Sequence, residues 1–277
     1  MADRDQMLRG KYDRLKEILR DCGSVAVAFS GGVDSTFLLA AARETLGDGA
    51  AAVNVRSVFT PEREAEEAEA FCGERGIPLM TVQRDILQVP GVADNPPDRC
   101  YLCKRAIFTE VMRTARENGF ACVAEGSNTD DAGDYRPGMR AIAELGVRSP
   151  LLEAELSKDD IRVLSSRMGL PTASKPSMAC LASRIPYGER ITPEILTMAD
   201  KAEQILAQKG FLQSRVRVHG SVARIEVPPQ DIARFADEDL RRQIHEAFRA
   251  VGFSYTALDL LGYRTGSLNE ALPQKTT

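Results

Sequence analysis

Several kinds of segment are missing from this 277-residue chain, and each absence removes a class of function. No apolar run approaches the length needed to cross a bilayer, so the sequence gives no reason to expect a membrane protein. There is no basic surplus: the net charge is -4, which argues against a dedicated nucleic-acid binder while leaving room for a local anion site. The N-terminal segment "MADRDQMLRGKYDRLKEILRDCG" is charged and helical in period and lacks the apolar centre of a signal peptide, so a cytoplasmic protein is expected. Histidine is scarce, and His219 and His245 both stand far downstream of any cysteine pair. Internal repeats and low-complexity segments are absent.

What is present alternates. "SVAVAF" (24–29), "GAAAVNVRS" (49–57), "PLMTVQRD" (78–85) and "FACVAEGSNTDD" (120–131) carry strand character, and helical patterns separate them. Thr60 and Pro61 suit the start of the helix after the second strand, and Ser157 the start of the one over 156–169. Such alternation predicts an α/β fold with a doubly wound parallel sheet, binding its ligands at the carboxyl ends of the strands. Residues 170–193 lack any period and contain four prolines. Beyond them come a helix, two short strands around Gly220, a further helix and a last strand in "FSYTALDLL". The expected organisation is therefore a domain over 1–187 and a smaller α+β domain over 188–277.

The segment "AFSGGVDS" runs from a strand through two glycines into a helix. Free backbone N–H groups and the helix dipole make an anion site suited to phosphate, with Ser30, Gly31, Gly32 and Ser35 at the ligand. Asp34 fits a Mg2+ ion on the same phosphates better than the phosphates themselves. An ordinary glycine turn before a capped helix would look similar. The string S-G-G-x-D-S resembles the PP-loop of ATP pyrophosphatases, and it lacks the G-K-[ST] ending of a Walker loop. The resemblance implies ATP cleaved between its α and β phosphates, with adenylylation of an acceptor oxygen and release of pyrophosphate. Arg56 is counted with the nucleotide contacts, as are Gly126, Asn128 and Asp131 of "AEGSNTDD". Asp134 and Arg136 follow in "GDYRPGMRAIAELGVRSPLLE", Arg136 as a substrate contact, although a solvated loop would look the same.

"DRCYLCKR" places Cys100 and Cys103 three apart, and Cys180 stands in "SMACLASRIPYGER". A redox disulfide, a zinc site short of its fourth ligand, an iron–sulfur cluster with one open iron, and a chance pair on a helix face all fit those three residues. Cys22, Cys72 and Cys122 lie in apolar or helical stretches and read as small hydrophobes without a role. The two histidines read as structural or surface residues.

Four longer strings narrow the choice: "FSGGVDST", "EGSNTDDAGDYRPGMRAIAELGVRSPL", "KPSMACLASRIPYGERIT" and "RVRVHGSVARIEVP". Together, along nearly the whole chain, they resemble the LarE family of ATP-dependent sulfur transferases, which help build the nickel-pincer nucleotide cofactor of lactate racemase. The resemblance implies a small-molecule substrate, pyridinium-3,5-biscarboxylic acid mononucleotide, whose carboxylates are adenylylated and converted to thiocarboxylates. It also implies one of two sulfur strategies. Either Cys180 gives up its own sulfur, or Cys100, Cys103 and Cys180 hold a 4Fe-4S cluster that carries sulfide from a source the sequence does not identify. The CxxC pair points to the cluster type. Ser183 and Arg184 beside Cys180, and Arg215 and Arg217 on one strand face, are the expected substrate and phosphate contacts. A homo-oligomer is expected from the family. The rival readings are a PP-loop tRNA thiolation enzyme, an amidating enzyme like NAD or GMP synthetase, and a zinc-stapled nucleotide-binding regulator without catalysis.

Overall fold

The computed structural model describes residues 2–133, 137–176 and 179–271. Asp134 and Arg136 lie outside them. The chain forms two compact units, one of residues 1–89 and 98–178, the other of residues 90–97 and 179–277.

The first unit opens with α1 (Ala2–Cys22), β1 (Val25–Ala28), α2 (Val33–Leu46), β2 (Ala50–Arg56), α3 (Glu62–Glu74) and β3 (Leu79–Gln83). It continues with α4 (Arg99–Glu117), β4 (Cys122–Ala124), α5 (Pro137–Glu144), α6 (Pro150–Glu153) and α7 (Lys158–Arg167). The four strands form one sheet in the order β3-β2-β1-β4, and every pairing is parallel. Strand β1 is all small and apolar and is buried on both faces, as a strand covered by helices on each side must be. Helix α2 carries an unbroken buried run from Ser35 to Ala42, so it lies within the core. Tyr12 of α1 packs on Phe37 of α2, with ring centroids 6.0 Å apart.

Local signals decide the helix ends. Ser157 and Asp160 form a reciprocal capping box at α7. At α3 the expectation needs correcting: Pro61 occupies the cap position without a side-chain cap bond, and Thr60 lies before it. Helices α5 and α6 follow the polar loop after β4, in sequence to which the periodic pattern assigns no element. Because β1 leads to β2 on one side and is joined by β4 on the other, the strand order reverses between β1 and β4. That crevice, at the carboxyl ends of the strands, is where sheets of this kind bind ligands.

The second unit contains α8 (Pro193–Gln208), β5 (Arg215–His219), β6 (Val222–Glu226), α9 (Glu238–Val251) and β7 (Tyr255–Leu258). Its sheet runs β5-β6-β7, antiparallel in the first pairing and parallel in the second. Phe211, Val216, Val218, Ile225, Ile244, Phe248 and Phe253 form its core. Residues 179–187 belong to this unit, where the sequence places the boundary after 187. Hydrogen bonds account for the difference. Asn95 Nδ2 donates to the carbonyls of Ile185 (3.2 Å) and Pro186 (2.7 Å), and the Gly188 amide donates back to the Asn95 carbonyl (2.9 Å). Loop 90–97 and the aperiodic segment thus hold each other within one body. Among the described residues no helix is long and apolar enough to cross a membrane.

Candidate functional site

In the first unit the β1–α2 loop carries the anion-binding features. Gly31 has φ +73°, a left-handed turn that a side chain would strain, and Gly32 stands at the helix cap position with no side-chain cap bond. A 14-residue helix therefore begins with backbone amides directed out of its N-terminus, which is what a phosphate needs. The Ser30 and Ser35 hydroxyls are 3.1 Å apart, and Ser35 Oγ donates to the Gly32 carbonyl at 3.2 Å, so both stay at the loop.

The end of β4 closes against this loop. A Cβ on Gly126 would stand 3.0 Å from the Ser35 amide nitrogen and 3.2 Å from the carbonyl carbon of Asp34. Those neighbours are backbone and cannot swing away, so only glycine allows the approach. Replacing Gly126 with alanine is expected to cost about 1–3 kcal/mol of stability. The same substitution should weaken ATP binding, because the amides it displaces are those offered to phosphate. Thermal unfolding and ATP titration check both, and unchanged values for Gly126→Ala would contradict the contact.

Asp34 accepts from Asn128 Nδ2 at 3.4 Å and from Lys158 Nζ at 2.5 Å. Asp131 accepts from the Asn128 amide at 3.0 Å, and Asp130 from the Lys158 amide at 2.8 Å. The expected group of Asp34, Asn128 and Asp131 is therefore brought together. Lys158, Lys175 and Glu125 are additions the sequence reading did not include. Lys175 Nζ lies 3.2 Å from the Gly31 carbonyl and 2.7 Å from Glu67. Glu125 is buried and accepts from the Ser127 amide, the Ser127 hydroxyl and Ser149. One signal could have revealed Lys158: a lysine in the first turn of a helix opposes the helix dipole and needs an anionic partner. Arg56 ends β2 at the same sheet edge, ion-paired with Glu69 of α3 at 2.5 Å, and its buried Nε has no hydrogen-bond partner among the described residues.

Cys100 and Cys103 lie in the first two turns of α4, spaced to share one helix face. Both thiols are unoxidised and half-buried, and Arg99 Nη2 lies 3.9 Å from Cys100 Sγ. Among the described residues no three His, Cys, Asp or Glu side chains are gathered to hold a metal.

Cys180 belongs to the second unit and is the exposed thiol of the six. It precedes a 3-10 turn, Leu181–Arg184, whose shape is fixed from below by Arg184. That guanidinium is fully buried. It pairs with Glu203 of α8 (2.8 and 2.7 Å) and donates to the carbonyls of Ala179 (2.5 Å) and Cys180 (3.0 Å). Ser183 Oγ donates to the Cys180 carbonyl as well, at 2.8 Å. Glu203 also accepts the Val216 amide of β5 at 2.9 Å.

Arg215 and Arg217 share a strand face, as their alternation requires, and both are buried. Arg217 pairs with Glu226 of β6 (3.1 and 2.9 Å) and donates to the Ser183 carbonyl (2.6 Å) and to Ser267 (2.9 Å). Arg215 donates to the Ser214 carbonyl at 2.7 Å and lies over the Tyr263 ring. Burial, and then the nearby Arg184 charge, lower its pKa from the usual arginine value. Arg184 and Arg217 thus hold the turn carrying Cys180 from two sides.

The parallel sheet, the uncapped Gly-Gly loop at the strand-order reversal and the close approach of Gly126 define a PP-loop α/β protein. No protein-family model matches the chain. It is 39% identical over 266 residues to an uncharacterized protein of Synechocystis, covering 96% of this chain and 99% of that one. It is 36% identical over 268 residues to pyridinium-3,5-bisthiocarboxylic acid mononucleotide synthase of Lactiplantibacillus plantarum, covering 96% of each. Over 75% of its length it is 26% identical to one of the chains of a glutamine-hydrolyzing GMP synthase of Archaeoglobus fulgidus, 71% of which it covers. The chain belongs to the LarE family, that of the Lactiplantibacillus synthase.

Proposed function

We propose that this chain is an ATP-dependent sulfurtransferase acting on pyridinium-3,5-biscarboxylic acid mononucleotide in the cytoplasm. The observation that carries this reading is the 36% identity to the Lactiplantibacillus synthase across 96% of both chains. In the first step a substrate carboxylate oxygen attacks the α phosphorus of ATP, forming the acyl-adenylate and expelling pyrophosphate. In the second, a sulfur nucleophile adds to the acyl carbon, AMP leaves, and a thiocarboxylate results.

The residues divide between these steps. Amides of residues 30–35 and the α2 N-terminus bind phosphate, with Ser30 and Ser35 as hydroxyl donors. Lys175 and Lys158 set positive charge beside them, and the Asn128–Asp131 segment holds the rim. The Asp34 carboxylate, an oxygen ligand at the phosphate loop, would help hold Mg2+, which would supply charge neutralisation for the departing pyrophosphate. Arg136, Ser183 and Arg215 keep the expected role of substrate contacts, whereas Arg184 and Arg217, expected in the same role, are engaged by Glu203 and Glu226 and act by holding the turn that carries Cys180.

Cys180 is the thiol presented to substrate. Cys100 and Cys103, reduced thiols on one helix face, and Cys180 are the three thiols to which the family resemblance assigns a 4Fe-4S cluster. Held by those thiols, such a cluster would supply a hydrosulfide nucleophile and would make the protein reusable. The exposure of Cys180 favours one second reading, in which its own sulfur is transferred and dehydroalanine remains. The active protein is a homo-oligomer, as the family resemblance implies.

The test is anaerobic purification followed by incubation with ATP, Mg2+, sulfide and the biscarboxylic mononucleotide. AMP, pyrophosphate and thiocarboxylate product are expected together, with about four iron and four sulfide per chain, both lost in Cys100→Ala. Metal-free protein that turns Cys180 into dehydroalanine would establish the second reading. ATP cleavage driven by tRNA or ammonia, and none by this substrate, would overturn both.

A further inference from the structure

At the opposite edge of the sheet from the nucleotide loop is a second pair of thiols. Cys22 is the last residue of α1, and Cys122 is the first of β4, paired in register with Val25 of β1. The Cys122 amide donates to the Ser24 carbonyl at 3.1 Å, and the Ala121 amide to Ser24 Oγ at 3.0 Å, so the two segments are clamped where the cysteines meet. Both side chains line one cleft, close enough for each thiol to shift the titration of the other. Arg148 Nη1 lies 3.9 Å from Cys22 Sγ, and this guanidinium is held in place by a two-pronged ion pair with Glu153. A cleft of about 600 Å3 opens over the pair, lined also by Asp21, Arg116 and Phe120.

This arrangement differs from that of an ordinary core cysteine. Cys72 is buried among apolar side chains, and burial alone pushes its thiol up to about 11. Cys22 is moved the other way, first by the hydrogen bond from Cys122 and then, against the cost of burial, by the Arg148 charge. The same hydrogen bond, with burial, raises Cys122, so the proton of the pair stays there. Cys22, lowered to about 7 beside a cation, thus lies in the buried wall of the cleft, and its partner is a protonated thiol lining the same cleft, the combination shown by oxidisable cysteines with a resolving partner.

We propose that Cys22 and Cys122 are a hydroperoxide-reactive pair that closes to a disulfide. The Cys22 thiolate attacks the outer oxygen of a hydroperoxide, the O–O bond breaks, and the other oxygen leaves as water or an alcohol after taking a proton. Cys22 is then a sulfenic acid. The Cys122 sulfur attacks it, the S–O bond breaks, water leaves and the S–S bond forms. Two thiols lose two electrons and one peroxide gains them. The product ties the end of α1 to the start of β4 at the base of the sheet that carries the nucleotide loop, and it does not depend on the sulfur-transfer reading.

The test treats the reduced full-length chain with stoichiometric hydrogen peroxide, blocks residual thiols and maps the peptides by mass spectrometry without reduction. A Cys22–Cys122 cross-linked peptide is expected while Cys72 stays reduced. In Cys122→Ser the sulfenic acid should persist at Cys22 and be trapped by dimedone. Arg148→Ala, which keeps both thiols, should slow Cys22 oxidation by about tenfold, the effect of about one pKa unit on the thiolate fraction. Reaction of Cys22 no faster than Cys72, absence of the cross-linked peptide, or an unchanged rate in Arg148→Ala would each overturn the proposal.

Discussion

Replacing Cys180 with alanine is expected to lower thiocarboxylate formation by about 10³-fold or more, the scale on which loss of a nucleophile usually falls. Substrate-dependent pyrophosphate release should survive within a few fold. The asymmetry follows from where the groups lie. The phosphate-binding amides, Asp34, Lys158 and Lys175 belong to the first unit, while Cys180 sits on a turn of the second. Adenylylation therefore keeps its machinery in the variant, and the acyl-adenylate is left to hydrolyse. Mass spectrometry of the product beside a pyrophosphate assay reads the two steps separately. Loss of both together would mean that Cys180 supports the nucleotide site and would remove it from the sulfur step. Cys100→Ala then separates the two sulfur sources. In the cluster reading it matches Cys180→Ala, whereas in the self-sacrificing reading it leaves the first turnover intact.

The parts of this protein legible in its sequence are those with short-range causes. The β1–α2 loop follows from adjacent residues: an apolar strand, two glycines and a helix whose first turn holds Asp34. The cap at α7 is equally local, and Ser157 identifies it. The partners of Asp34 are not local. Lys158 lies 124 residues away, and Lys175 reaches the Gly31 carbonyl across 144 residues. Only a folded sheet brings such positions together, although the dipole-opposed placement of Lys158 hinted at its need for an anion. The cysteines divide the same way. Cys100 and Cys103 announce themselves by spacing, while Cys22 and Cys122 look like filler until the register sets Cys122 beside Val25 of β1, just after the end of α1, and both thiols line one cleft. For Arg215 and Arg217, period-two alternation gives the shared face correctly, but alternation carries no information on burial. The antiparallel register sets Arg215 opposite Glu226 and Arg217 opposite Arg224, and it is this pairing that supplies the acidic partner.

That partner leads to the largest stability effect expected here. Glu226 is 0% exposed and Arg217 6%, and their carboxylate–guanidinium pair is two-pronged. Arg217→Ala leaves a buried carboxylate that faces, among the described residues, Arg224 at 3.2 Å and the Ser267 hydroxyl, at a cost of about 3–5 kcal/mol. The unfolding midpoint of the full chain should fall accordingly. Removing both charges with Arg217→Met and Glu226→Leu should recover most of that loss, because an apolar pair of similar volume carries no desolvation penalty. Activity should not recover with it, since Arg217 also donates to the Ser183 carbonyl in the turn that presents Cys180. A stable but inactive double variant is thus the signature of a positioning residue. A guanidinium that served only to grip the substrate phosphate would behave differently: its loss would raise KM for the nucleotide and leave the unfolding midpoint unchanged. Denaturation and steady-state kinetics on Arg217→Ala and the double variant distinguish the two, and a single variant as stable as the wild type would refute the structural role assigned to the Arg217–Glu226 pair.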